Sequence, residues 1–549
     1  MATISTTSPA GTGLRVFARL LPVIFLLWIF AFFRWHEIAE HIPYFVDEIH
    51  HLRRARAVWT FEDIHTSTTP SKFLTYYWLG LFQLPQYPDL WLVRTPIAMI
   101  SLLGAAATYA LGRILFDQRV AFLALGVVTV FPFILFYERM ALTDPLAGAL
   151  VALVAWWSVV VARRPSMPNA TILAVLVILM LAGKLLTGPL IVVPFLAVAF
   201  LGRYPLRLDE PLRNEIIRLW HSYKPAIMRA ALIIIVVWGI ILGIYAIRKI
   251  IDPTVRAIID PYLYEGLSEG SSQLETNIER IQQAFWRLWG PLLIGLSVLG
   301  LPFLIRWRWR TAAYLLGAMF ALWIFVLLVA GQLNSRYLTL VVEISAVLIS
   351  GGVVVAYDDV KLRGFFRGIA IVPVILLLVW IVGYGLPFAI TATRDPLELN
   401  LPDRDRSEYF RNYTGYALPD GLEFVADSPP ISAEVNEPVL IVFVRLCEHL
   451  PYHMPEEMHD EIQVECPPDE LGTFDQRYVF LNQELAIYGP VYLMVEQYRT
   501  PDGSPIVEAS QVNGELALLA TFERPFDGVA VEVYSVYPAT EQVGGGDEP

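Results

Sequence analysis

Apolar residues run along this chain in long blocks, not in alternation with polar ones. Mostly apolar stretches occupy about 14–34, 90–116, 120–137, 141–162, 227–251, 286–305, 311–330, 338–357 and 366–391. Each suits a helix of about 20 residues, the length that crosses roughly 30 Å of hydrocarbon. The first is too long for a cleavable signal peptide, and no small-residue cleavage site follows it. A further block, Ile172–Leu201, is interrupted at Gly183-Lys184-Leu185-Leu186-Thr187-Gly188-Pro189 and is too long for one upright helix. Two short spans meeting at that break bring the expected total to eleven.

The distribution of cations supports that count. Every second connection, starting from the N-terminus, carries Arg15/Arg19, Arg113/Arg119, Arg163/Arg164, six Lys/Arg within 203–229, Arg306/Arg308/Arg310 and Lys361/Arg363/Arg367. The short opposite hairpins hold one cation each: Arg139, Lys184 and Arg336. By the positive-inside rule the N-terminus is inside, and residues 36–89, residues 252–285 and the C-terminal tail are outside.

Composition separates the tail from the body. The chain has 549 residues, 56% apolar and 17% charged, which is unusually apolar and poor in charge. Residues 392–549 hold 30 Asp+Glu against 8 Lys+Arg, a net −22, whereas residues 1–391 are net +10. No basic patch dominates either part, which argues against a nucleic-acid partner. The expected fold is therefore a polytopic α-helical membrane domain over 1–391 and an extracytoplasmic α/β domain over 392–549. Within the latter, Val439–Val444 and the Tyr/Val/Leu-rich 491–498 read as strands, and 405–427 and 447–462 show looser helical patterning. Cys447 and Cys466 both lie in this outside domain, where an oxidising exterior permits a disulfide across a feasible loop.

Ionisable groups near the membrane are sparse, costly and more often functional than not, and here they gather on the outside. Asp47-Glu48 follows the first span and precedes Arg53, Arg54 and Arg56. Lys72 precedes the aromatic stretch Phe73–Leu84, too short to cross, whose Tyr76, Tyr77 and Trp78 suit the headgroup level. Asp144, before Pro145, also fits a helix N-cap. Arg139, Lys184 and Arg336-Tyr337 occupy the other outside hairpins. Five histidines fall in 36–65, and His449/His453 lie beside Glu456/Glu457. Both groups read as interfacial or exposed polar residues, and no metal is expected.

The order of these features resembles the GT-C glycosyltransferases: an early Asp-Glu pair, a lysine before Tyr-Tyr-Trp, the ERMALTDPLAGAL hairpin and a late Arg-Tyr. Protein O-mannosyltransferases and the aminoarabinose transferases that modify lipid A are the nearest in pattern. The resemblance covers about residues 14–391, and it departs from the family where Phe73-Leu74 replaces Pro-Pro after the lysine. It implies a membrane protein acting on a lipid-linked sugar, with polyprenyl-phosphate sugar as donor, no further cofactor, and an unidentified hydroxyl acceptor at the outer face of the cytoplasmic membrane. Asp47 would be the general base, with Glu48 orienting it and Asp144 positioning acceptor or sugar. Lys72, Arg336 and Tyr337 would hold the donor phosphate, followed by Arg139 and Lys184, with Tyr76, Tyr77 and Trp78 against sugar or lipid. A transporter and a catalytically silent subunit of a membrane assembly are the competing readings.

Overall fold

The computed structural model describes residues 9–60, 72–82, 89–251 except 208, 273–362 except 332, and 370–443 except 413–414 and 432–437. It also describes 450–467 except 451, 455–457 and 459–460, then 474–496, 512–523 and 530–538. Cys447, His449, Glu456 and Glu457 lie outside the described residues, as does most of 252–285. The chain forms two compact units. One comprises 1–41, 50–84 and 90–402, and the other 42–49, 85–89 and 403–549.

The first unit is helical, with α1 (Pro9–Trp35), α2 (Val46–Thr60, whose first turn belongs to the second unit), α3 (Phe73–Gly80), α4 (Leu90–Leu115), α5 (Gln118–Thr129), α6 (Pro132–Leu135), α7 (Thr143–Arg163), α8 (Met167–Gly183), α9 (Val192–Leu201), α10 (Leu212–Ile251), α11 (Leu274–Ala284), α12 (Gly290–Val329), α13 (Val342–Leu362), α14 (Val372–Trp380) and α15 (Leu386–Arg394). Among the described residues, six helices are long and apolar enough to cross a membrane, or seven if the bent pair 118–129 and 132–139 is one span. Leu20–Trp35, Met167–Gly183 and Leu185–Leu201 are shorter apolar helices. The chain is a multi-pass membrane protein. An expectation of eleven spans takes in those three and divides Leu274–Val329 in two. Within α12 two helices meet at a kink at Arg308, whose backbone angles are non-helical, and this kink lies between the expected spans 286–305 and 311–330.

Breaks in the helices follow from residue chemistry. Pro132 has no N–H to give the Val128 carbonyl, so α5 stops at Thr129 and the pair bends by 51°. The interruption around Gly188-Pro189 is a 3-10 segment, Leu185–Ile191, between α8 and α9. Small residues allow close crossings: a Cβ on Gly300 or Gly352 would lie 3.2 Å from the other's backbone. Five-residue π turns, Phe285–Trp289 and Ile381–Gly385, face each other across α12 and α14. There Trp380 Nε1 donates to the Trp289 carbonyl at 2.7 Å, the Tyr384 hydroxyl donates to the Arg287 carbonyl, and Gly290, at φ +75°, lies against the Tyr384 ring.

The second unit contains a five-stranded sheet of order β2-β1-β3-β5-β4, built from β1 (Val439–Phe443), β2 (Gln463–Glu465), β3 (Val491–Glu496), β4 (Gly514–Glu523) and β5 (Ala530–Pro538). Strand β1 runs parallel to β2 and β3, and β5 is antiparallel to β3 and β4. The two-residue strand period sorts side chains onto two cores. Leu440, Val442 and Met494 pack with Leu422 and Val425 of helix α16 (Leu418–Ala426). Val439, Ile441 and Leu493 pack with Leu481 and Leu485 of helix α17 (Phe474–Tyr488). Strands β2, β4 and β5 add to the two expected from sequence, and the stretch 405–427 is shorter helical pieces than its patterning suggests. Cys466 is disulfide-bonded, and the chain has two cysteines.

Candidate functional site

Three separate connections of the helical unit meet in one buried polar cluster. Asp144 lies in the first turn of α7, where the N-cap position is Leu142 and no side chain caps the helix. Its carboxylate is therefore not a cap. It pairs with Lys184 Nζ at 2.5 Å, and Arg336 Nε lies 3.9 Å from its other oxygen. Lys184 comes from the break between α8 and the following 3-10 turn, and Arg336 from the 3-10 segment Ser335–Val341. The half-buried Tyr337 ring faces both cations, with its centroid 4.5 Å from Lys184 Nζ and 5.7 Å from Arg336 Cζ. Asp144, Lys184 and Arg336 are buried, an arrangement that strengthens each electrostatic contact.

Helix α3 docks beside this cluster. Thr75 Oγ1 donates to the Gly183 carbonyl at 3.2 Å, next to Lys184, and Trp78 Nε1 donates to the Pro96 carbonyl at 2.9 Å. Tyr76 is buried and accepts from Arg54 at 3.1 Å, whereas Tyr77 is exposed. Lys72 sits at the N-terminal end of α3, half-buried, and makes no ion pair among the described residues. In α2, His51 Nδ1 contacts the Ala141 carbonyl at 2.9 Å. Asp47 and Glu48 occupy the first turn of α2, within the second unit. There the Phe45 N–H donates to Glu48 Oε2 at 2.9 Å, so the side chain that caps the helix is Glu48.

Arg139 has another task. Its guanidinium donates to the Phe33, His36 and Glu37 carbonyls at 2.8, 2.9 and 2.9 Å, and Arg94 donates to the Ile38 carbonyl at 2.9 Å. These cations satisfy carbonyls that the end of α1 leaves without helical partners. Nearby, His41 Nε2 lies 3.0 Å from Glu37 Oε2 and His36 Nε2 3.3 Å from Oε1. The hydrogen bond from His41 holds the Glu37 carboxyl below its ordinary range. Glu37, Glu40 and His41 place possible metal-ligand atoms within 4.8 Å of one another.

Sequence reasoning passed over three buried charges. Arg34 is fully buried and binds Glu138 Oε2 through Nε at 2.9 Å and NH2 at 2.6 Å. Its remaining donors reach the Thr129 and Val128 carbonyls at 2.5 and 3.1 Å, the groups that the break before Pro132 releases. Glu343 is buried in the first turn of α13. An ionisable residue inside an apolar block was the available signal for Glu343. A larger cavity of about 230 Å3, walled by apolar residues such as Leu173, Phe195 and Ile234, gathers no comparable polar set.

No family model matches the chain, and no curated protein matches it. Solved structures do. ArnT from Cupriavidus metallidurans bound to undecaprenyl phosphate aligns with a TM-score of 0.54 at 13% identity, covering 94% of this chain and 97% of that one. The same protein in the apo state gives 0.51 at 13% identity, covering 95% and 98%. The oligosaccharyltransferase of Archaeoglobus fulgidus complexed with Zn and sulfate gives 0.46 at 13% identity, covering 86% and 68%. The chain thus shares its fold with ArnT of Cupriavidus metallidurans.

Proposed function

We propose that this protein is an inverting GT-C glycosyltransferase, moving a sugar from a polyprenyl-phosphate donor to a hydroxyl acceptor at the outer face of the cytoplasmic membrane. The observation that carries this reading is the buried Asp144–Lys184–Arg336 cluster, faced by the half-buried Tyr337 and assembled from connections expected on one side of the membrane. The fold shared with a protein that binds undecaprenyl phosphate supports the donor class.

Asp47 accepts the acceptor's proton as its oxygen attacks the anomeric carbon, and Glu48 fixes the start of the helix that carries it. The carbon–phosphate-oxygen bond breaks on the opposite face, so a single displacement inverts the centre. Negative charge then grows on the prenyl phosphate, where preorganised cations and a phenol act most strongly. Lys72, Arg336 and Tyr337 fill that role, Lys184 holds Asp144 in place, and Arg139 serves the backbone of α1.

The test is transfer of radiolabel from prenyl-phosphate sugars to a cell-envelope acceptor pool by the purified protein. Asp47→Asn should lower turnover by roughly 10²–10⁴ with donor binding nearly intact. Lys72→Met should weaken donor binding and slow transfer together. Binding of prenyl phosphate without transfer from any donor would identify a silent subunit instead.

A further inference from the structure

One buried acid has no place in that mechanism. Glu343 Oε2 is buried and has no hydrogen-bond partner among the described residues. Its carboxylate lies against two glycines of neighbouring helices. A Cβ built on Gly104 of α4 would be 3.2 Å from Oε1, and one on Gly148 of α7 would be 3.5 Å away. Gly148 follows Asp144 by four residues on α7, so the two share a helix face. The glycines therefore open a space for a carboxylate one turn along from the site's own acid.

A cavity of about 10 Å3 lies in that space, with Glu343, Asp144, Glu138, Tyr137 and Thr339 in its lining. This volume accommodates one water, which needs two to four polar partners, and three carboxyl groups border it. A water there can donate one hydrogen to Glu343 Oε2 and the other to Asp144 or Glu138. Thr339 Oγ1 already donates to the Arg336 carbonyl at 2.6 Å, which leaves its oxygen only an acceptor's part.

We propose that Glu343 is a positioning residue: through one water in this cavity it fixes the Asp144 carboxylate against Lys184 and Arg336. The proposal rests on the glycosyltransferase reading for its kinetic consequence, but not for its structural one. Glu343 touches neither substrate nor reacting atoms. Its effect is on the angle at which Asp144 is presented, and misplacement by about 1 Å can cost on the order of 10²-fold in rate.

Two variants and one map test it. Glu343→Leu cannot bond the water, whereas Glu343→Gln keeps an oxygen in the same place. Glu343→Leu should lower kcat by roughly 10–10²-fold with the donor KM within about twofold, and Glu343→Gln should restore most of that loss. A high-resolution cryo-EM map of the full-length protein should show a water between Glu343 and Asp144, lost in Glu343→Leu. Wild-type kcat in Glu343→Leu, or equal losses in kcat and KM for both variants, would overturn the positioning role. So would a wild-type map whose cavity is dry. If the wild-type protein transfers no sugar, the function is wrong, while the map still decides the water.

Discussion

Replacing Lys184 by methionine should separate the structural worth of the Asp144 pair from its chemical worth. The two side chains are 8% and 2% exposed and meet at 2.5 Å. Removing one partner of a buried pair costs about 3–5 kcal/mol, because the other charge is left without compensation. Here Arg336 Nε remains 3.9 Å from Asp144. A unit pair near 4 Å at an effective dielectric constant of about 20 interacts by about 4 kcal/mol before desolvation, so part of the loss is offset. The expected cost of Lys184→Met is therefore about 2–4 kcal/mol, at the lower end of the range for a broken buried pair. Asp144→Asn combined with Lys184→Met removes both charges and should cost less than the two single changes together, with a coupling of about 1–3 kcal/mol. Unfolding in mixed micelles titrated with SDS, followed by tryptophan fluorescence, measures all four proteins. The double variant should regain stability yet stay inactive in label transfer. A cost below about 1 kcal/mol for Lys184→Met, the value of an exposed pair, or strict additivity in the cycle, would refute the buried pair.

Arg34→Met leaves Glu138 buried without its bidentate partner and should cost about 3–5 kcal/mol in the same unfolding assay, with Arg34→Met/Glu138→Leu recovering much of it. Gly104→Ala should cost about 1–3 kcal/mol, since its new Cβ meets Ala149 Cα at 3.0 Å, whereas Gly148→Ala, with ordinary contacts from 3.5 Å, should cost under about 1 kcal/mol. The Glu37 carboxyl is held low by His41, so the stabilisation from that bond is complete above the ordinary carboxylate range and fades as pH falls through the lowered value. His41→Ala should move the Glu37 titration upward, as read by carbon NMR of the labelled carboxyl. A membrane-impermeant thiol reagent applied to intact cells should label a cysteine placed at Glu515 but not one at Ser222, and the reverse pattern would overturn the N-in, C-out topology.

The helical body was legible because its signals are local. Apolar blocks give the helices, Gly188-Pro189 marks the 3-10 interruption, and cation counting puts Asp144, Lys184 and Arg336 on one side before any coordinates exist. Their meeting at one point was less accessible, since 40 residues of sequence separation lie between Asp144 and Lys184. Arg34 and Glu138 are 104 positions apart, and each sits at the edge of an apolar block, where a charge ordinarily snorkels to the interface. Only helix packing shows that they are partners. Strands β4 and β5 are a different case. The β4 sequence GELALLATFE alternates only in part, because the register shifts between Leu518 and Ala520 and puts Leu518 and Leu519 both at the surface. A period-two reading weakens at such a bulge.

The facing π turns at Phe285–Trp289 and Ile381–Gly385 constrain how this chain can change length. A π turn holds one residue more than the α-helix it interrupts. Deleting one residue from Ile381–Gly385 would let that turn close as ordinary α-helix and leave the helix beyond it in phase, whereas a deletion elsewhere in the helix would turn everything beyond it by about 100°. Leu386–Arg394 would keep its facing, and the loss would fall on the bulge itself, which places the Tyr384 ring over Gly290. A deletion in Phe285–Trp289 would likewise close the bulge, and it would shift the Trp289 carbonyl that Trp380 now reaches. Single-residue deletions should thus be absorbed better in these two segments than elsewhere in their helices, and what they endanger is the bond between positions 91 residues apart.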